Sequence, residues 1–396
     1  MNALNTPSFM RQLLVVLGKE IVDALRDRRT LLRLLIPAVL MGPFLLSALS
    51  GLIASLEDRA DKREIHIVGI EHAPTLRNYL ERQTYTIKAA PADFEAQLRA
   101  TRLLEPVLVI GKDFERELQQ GEQPTLELVS DSANQRAAAG VGTLNRLLQG
   151  FSSERSRLGL ALRGVDANLL QPVMIEERDL ASAQARATRL TGIVPMFIIM
   201  AVLYGALTAA LDSTAGERER GSLEPLLLNP APHMAVVIGK WGAVALLGMA
   251  VALLANLSFI PAQLMIRSDS LQAMFQFGWG EVIRCLLLQL PLAASMSALL
   301  MAVAIRSKTF KEAQASSTII MTLVSLAPMV SMLNPGGEAN WYLWVPGLAQ
   351  NTLMMLVLKG EALTTAKLLP SVLVGSTLTV LALIYVARSM RSAVAR

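Results

Sequence analysis

Seven uncharged apolar stretches constrain this chain more than anything else in it: Leu34 to Ile53, Leu190 to Leu211, Trp241 to Ile266, Cys285 to Ile305, Ala313 to Gly337, Trp341 to Leu358 and Leu368 to Ala387. A helix rises about 1.5 Å per residue, so crossing the hydrocarbon of a bilayer takes roughly 20 apolar residues. Six of the seven stretches qualify. With 53% hydrophobic and only 17% charged residues, the composition excludes an ordinary soluble enzyme. The expected fold class is an α-helical polytopic membrane protein with six transmembrane helices, the first over residues 34–56 and five more within 190–396.

The odd stretch is Trp341 to Leu358, which carries Trp341, Tyr342, Trp344, Pro346, Gly347, Gln350 and Asn351. Aromatic rings favour the membrane interface, and a Pro-Gly pair breaks a helix unless neighbouring protein satisfies the freed backbone groups. Residues 338–358 therefore read as a re-entrant or interfacial segment; the alternative, a seventh span, would separate the termini across the membrane. Lys and Arg on short loops argue for six. One side holds fifteen (Arg11, Lys19, Arg26, Arg28, Arg29, Arg33, Arg218, Arg220, Lys240, Arg306, Lys308, Lys311, Arg388, Arg391 and Arg396), whereas the other holds four, Arg267, Arg284, Lys359 and Lys367. The positive-inside rule places both termini in the cytoplasm. The net charge of +5 then reports topology, and no nucleic-acid partner is needed to explain it.

Residues 1–33 carry their own pattern. Phe9, Leu13, Leu14, Leu17, Ile21 and Leu25 recur at helical spacing, with Arg11, Lys19, Glu20, Asp23, Arg26 and Asp27 filling the opposite face. That is an amphipathic helix suited to the cytoplasmic interface or, alternatively, to packing on another protein domain. Between the first two spans, residues 57–189 have the composition of a soluble domain. Strand-like runs at Ile65 to Ile70, Tyr85 to Lys88, Val107 to Ile110, Leu126 to Val129 and Val173 to Glu176 alternate with helical patterns at Pro74 to Arg82, Ala92 to Ala100, Asp113 to Gln120 and Ala133 to Leu162. An α/β domain outside the cytoplasm follows.

Catalytic chemistry has no foothold in the sequence. His66, His72 and His233 are the only histidines, and no Cys or acidic partner completes a metal-ligand spacing, so no metal site and no catalytic residue is expected. The Gly-Lys pairs beginning at Gly18, Gly111 and Gly239 have Leu13, Pro106 and Met234 where a P-loop needs its first Gly, and no Ser or Thr follows the Lys. The chain is not expected to bind ATP itself.

One loop is more specific. GERERGSLEPLLLNP, from Gly216 to Pro230, followed by Gly239-Lys240, closely resembles the GEKERGTLEPLLATPV…GK signature of ABC-2 type exporter permeases, in particular their NatB-like sodium-efflux branch. The run from Arg306 to Gln314 resembles that family's short second cytoplasmic loop, including Arg306, Lys308, Lys311 and Glu312. The N-terminal helix resembles its elbow helix, and the large domain after the first span its extracytoplasmic insertion.

The resemblance implies a permease half in the bacterial cytoplasmic (inner) membrane, paired with a second copy or a related permease and contacting membrane lipid. It also implies two copies of a separate ABC ATPase that bind the ATP and Mg; no cofactor is expected in this chain. Within residues 212–235 the loop would act as a coupling helix on that ATPase. Glu217, Arg218, Glu219, Arg220 and Glu224 supply charges to orient docking, Leu223, Leu226 and Leu227 an apolar ridge, Pro225 a helix start, and Gly216 and Gly221 tight turns. A solvated charge run flanking a membrane is the plain alternative. The second and fifth spans would line the transport path, bringing Tyr204, Thr208 and Asp212 near Ser316, Ser317, Thr318, Thr322 and Ser325; hydroxyls on membrane helices also serve simply as packing contacts. Asn256, Ser258 and Gln289 are further buried polar candidates. No acidic residue lies mid-span, where an ion relay would place one. Sodium is the cargo the resemblance implies. Drugs, lipids or other amphiphiles are the alternative cargo, and a scaffold that moves a periplasmic partner without transport is the other reading.

Overall fold

The computed structural model describes residues 9–61, 63–100, 102–103, 105–131, 135–166, 191–222, 232–267, 277–334 and 339–394, with isolated positions between 168 and 188 and at 272 and 275. The chain divides into two compact units, one formed by Met1–Ala54 with Leu180–Arg396 and the other by Ser55–Asp179.

The first unit is helical. Helix α1 (Phe9–Arg26) is followed after one residue by α2 (Arg28–Asp61), so the first span starts inside the stretch assigned to the amphipathic helix. Six helical segments are long and apolar enough to cross a membrane: Leu31–Ser55, Val194–Glu219, His233–Met265, Trp279–Ala304, Phe310–Ser331 and Thr365–Met390. The second is the most enclosed, 72% of its apolar window being buried against 22% for the fifth and sixth.

The second unit holds a four-stranded sheet: β1 (Glu64–Val68), β2 (Thr86–Ala89), β3 (Val107–Ile110) and β4 (Leu126–Val129) in the order β2-β1-β3-β4. β1 pairs in parallel with β2 and β3, and β4 closes antiparallel on β3. Parallel neighbours need crossover connections, here supplied by α3 (Pro74–Arg82) and α4 (Phe94–Arg99). Two further helices, α5 (Phe114–Gln120) and α6 (Gln135–Leu162), complete the unit. Period-two alternation sorts the core: Ile65, Ile67, Leu108 and Ile110 pack with Leu76, Tyr79, Phe114 and Phe151, while Val107 packs with Leu98 and Leu103. The strand expected at Val173 to Glu176 lies at Val173 to Ile175 outside the described residues, and Glu176 is not in a strand.

The longer remaining helices of the first unit are α7 (Val194–Leu211), α8 (His233–Ala262), α9 (Trp279–Ala304), α10 (Phe310–Leu326), α11 (Leu348–Leu358) and α12 (Thr365–Val394). At 11 residues α11 rises about 16 Å and does not cross a bilayer. It follows a 3-10 turn at Asn340–Trp344 and is held by Gln350, which accepts from the Gly347 N–H and donates to Ser371 Oγ. Small residues bring the spans together, as lipid-embedded helices need. A Cβ on Gly205 of α7 would stand 3.0 Å from Val251, and one on Gly42 of α2 2.5 Å from the Ser258 backbone of α8.

Candidate functional site: the helix ends around the GERERG motif

Past Leu211 the second span does not end. Its backbone widens into a π-helical turn, Asp212–Gly216, and then resumes as a short α-turn, Glu217–Glu219. A π-turn rotates the residues that follow it, so the ERER run leaves the helix with its side chains aimed at different neighbours. Gly216 lies inside this helical stretch with φ −65°, which corrects the expectation of a tight turn there. Gly221 does make the turn, with φ +70° in the left-handed region that favours glycine.

Each charged side chain of the run has a partner within the chain. The Glu217 carboxylate accepts hydrogen bonds from Lys240 Nζ at 2.6 Å and from Lys19 Nζ at 3.0 Å. Lys240 also donates to Glu20 Oε1 at 2.8 Å, as does Lys19 at 3.0 Å. Two ammonium groups and two carboxylates thus form a neutral cluster joining α1, the end of the second span and the start of the third. The Lys240 side chain is wholly buried, and those of Glu20 and Glu217 are 8% and 9% exposed. Burying Lys240, Glu20 and Glu217 is tolerable only because Lys240 meets both carboxylates and the half-exposed Lys19 adds a second cation to them. Burial opposes the charge of Lys19, yet the carboxylates of Glu217 and Glu20 outweigh it and hold the ammonium above its ordinary range.

The next two residues fasten other helix ends. Arg218 Nη1 donates to the carbonyls of Ile305 at 2.9 Å and Ser307 at 3.2 Å, just beyond the last turn of α9. A cation suits the negative end of a helix dipole, and an acid the positive end. Glu219 supplies the acid, accepting from the Phe310 N–H at 2.8 Å at the first position of α10. Thr309 caps the same helix by accepting from the Glu312 N–H, while Glu312 accepts from the Lys308 N–H at 2.9 Å. Glu312 therefore shapes its own loop, and the side chains of Arg306, Lys308 and Lys311 sit on exposed or partly exposed positions. Arg220 Nη2 reaches back to the Asp212 carbonyl at 3.3 Å. Leu223, Glu224, Pro225 and Leu226 lie outside the described residues.

Helix α1 docks through Leu13, Val16, Leu17 and Glu20 onto α8, where a Cβ on Gly239 would stand 2.8 Å from Val16 Cγ1. Glu20 thus lies on the packed face, a correction to its assignment to the polar side. Met10, Leu14, Val15 and Leu25 are exposed.

The expected transport residues do not gather in one place. Tyr204 meets Thr318, Thr322 and Ser325 around a cavity of about 50 Å³. Thr208 and Asp212 line a separate cavity of about 430 Å³ beside α1, and Ser316 a groove with Arg306 and Tyr385. Thr208, Thr318 and Thr322 each donate to the carbonyl four residues earlier in their own helices. Ser258 Oγ accepts from the Gly42 N–H and donates to Ala255, so it is a packing contact between the first and third spans. Ser317, Asn256 and Gln289 are buried with an oxygen lacking a hydrogen-bond partner.

Sequence reasoning used Lys240 in the motif pattern and in the count of cytoplasmic cations and did not connect it with Glu20 or Lys19. The available signal was a lone Lys at the threshold of an apolar run, which needs a carboxylate if it is to be buried.

The chain matches the sequence model of the ABC-2 family transporter proteins over residues 33–386. It is 28% identical over 316 residues to the ABC transporter permease protein NatB of Bacillus subtilis (strain 168), covering 77% of this chain and 78% of that protein. With the six candidate spans, the motif at the end of the second and the match over most of its length, the chain belongs to the ABC-2 family of transporter proteins.

Proposed function

We propose that this chain is the membrane half of an exporter driven by a separate ABC ATPase, which docks on the segment after Gly221 and supplies the ATP and Mg site. The observation that carries the reading is the fastening of the ERER run to four other parts of the fold: α1, α8, the end of α9 and the start of α10. A push on Leu223 to Pro230 would reach all of them at once. That division of labour revises the role of the charges: Glu217, Arg218 and Glu219 transmit, and Leu223, Glu224, Pro225 and Leu226 dock.

By the positive-inside rule this end of the bundle faces the cytoplasm of a bacterial inner membrane, and the α/β unit lies outside it. A second copy would cover the exposed side of α10, where Ile319 and Leu323 stand out, and the exposed Tyr204 of α7. Sodium export follows from the resemblance to the NatB-like branch.

The test is co-expression with the ABC ATPase, purification of the complex and reconstitution into liposomes, with sodium and a panel of amphiphiles followed on addition of ATP. Glu224→Ala with Leu226→Ala should abolish ATPase capture, while Arg218→Ala should leave capture intact and uncouple hydrolysis from transport. Capture unaffected by the first pair, or no ATP-driven movement of any cargo, overturns the proposal.

A further inference from the structure

We infer that the cavity enclosed by α1 and the facing ends of the first three spans is a binding site for a lipophilic organic monocation. Its volume, about 430 Å³, is that of a small-molecule site. Its walls are of two kinds. Leu31 and Leu34 from the first span face Val244 and Leu247 from the third, giving an apolar side. Glu20, Asp23, Asp27, Asp212 and Glu217 form the other, with Lys19 and Arg220 as the lining cations.

Charge accounting decides what such a cavity holds. Glu20 and Glu217 are occupied by Lys240 and Lys19, and Lys19 also lies 3.5 Å from Asp23. Leaving out Asp27, which is already engaged, and counting Lys240, four carboxylates stand against three cations, a surplus of one negative charge that repels an anion and favours a monocation. Among the described residues no side chain donates a hydrogen bond to the Asp212 carboxylate, since Arg220 reaches the Asp212 backbone carbonyl instead. A bare metal ion fits poorly: no three of these carboxylates among the described residues are grouped as metal ligands, and the leucines would leave a hydrated ion facing hydrocarbon. A delocalised charge on an apolar frame uses both walls, with its head towards Asp212 and its body against Leu34 and Leu247. The cavity shares Glu217 with the ion cluster, so an occupant would sit against the element proposed to transmit the ATPase stroke. Only the naming of this occupant as cargo rests on the proposed export function.

The test is equilibrium binding of tritiated tetraphenylphosphonium to the purified full-length permease in detergent, without ATPase, with tetraphenylborate as an anion of the same shape. Saturable binding of the cation is expected, weakened at least about tenfold by Asp212→Asn, which removes the charge, and by Leu247→Trp, which fills the apolar side at unchanged charge. Retained thermal unfolding midpoints show that each variant is folded. Replacing potassium by sodium at constant ionic strength should leave binding unchanged. Wild-type binding in both variants, equal saturable binding of tetraphenylborate, or displacement by sodium alone overturns the inference. Binding without ATP-driven transport would refute export and leave the site standing; transport with unaltered binding in both variants would do the reverse.

Discussion

Lys240 Nζ lies 2.6 Å from Glu217 Oε2, with the Lys240 side chain wholly buried, so the first acid of the ERER run is bonded into the bundle and turned away from solvent. Glu20 and Lys19 complete the cluster from α1. A buried pair of this kind contributes little against an apolar replacement of all its members, but losing one member leaves an uncompensated charge. Lys240→Met alone should therefore cost about 3–5 kcal/mol. Adding Glu20→Gln and Glu217→Gln to it should restore most of that. Thermal unfolding of the three-site variant in detergent, compared with the single variant, checks this; equal loss in both would show that the cluster is not behaving as a buried ion network.

Arg218 is the strap over α9. Replacing it with Ala strips a charged donor from the Ile305 and Ser307 carbonyls, a loss of about 1.5–3 kcal/mol for a charge-assisted bond. Lys at this position should recover only part, because its ammonium is a point charge without the spread of a guanidinium. Amide hydrogen exchange over residues 305–312 should accelerate in the order wild type, Arg218→Lys, Arg218→Ala. A flat response across the three would remove Arg218 from this role.

The spans were legible because hydropathy summed over some 20 residues is insensitive to any single contact. Four of the five expected strands of the inserted unit were equally plain, with Val107–Ile110 and Leu126–Val129 appearing where alternation and β-branched residues placed them. What the sequence hid was the sidedness of α1. A helical pattern assigns Glu20 to solvent, and only its partner Lys240, 220 positions further on, reverses that. The π-turn at Asp212–Gly216 was hidden for a similar reason, since backbone widening has no residue signature and Gly216 reads as a turn. Hydroxyls on α7 and α10 looked like a path because the pattern does not show that Thr208, Thr318 and Thr322 are occupied by their own helices.

Two glycines near α1 should respond oppositely to a side chain. Gly239 faces Val16 and the Leu13 carbonyl, at 2.8 and 3.1 Å from an added Cβ, whereas nothing lies within 4 Å of one on Gly18. Gly239→Val should overpack the contact, cost about 1–3 kcal/mol and expose α1 to limited proteolysis. Gly18→Ala should instead stabilise by about 1 kcal/mol, the helix propensity of Ala over Gly. Matching shifts in unfolding midpoint for the two would mean that α1 does not pack on α8 as described.

The ion cluster also sets a pH window. Lys19 is held above its ordinary value in the folded protein, so folding is linked to keeping its proton. For a raised pKa the stabilising contribution is fully present below the unfolded value, about 10.4, and is lost as the pH climbs through the folded one. The Lys19 side chain is 44% exposed, so solvent screens it and the effect at neutral pH is modest, about 1 kcal/mol or less. The informative quantity is the difference in unfolding midpoint between wild type and Lys19→Gln. It should stay constant from pH 7 to 10 and narrow above that, because Gln has no proton to lose and the wild type gives up its advantage only when Lys19 is neutralised. A difference that narrows below pH 9 would mean that Glu217 and Glu20 do not hold the Lys19 charge.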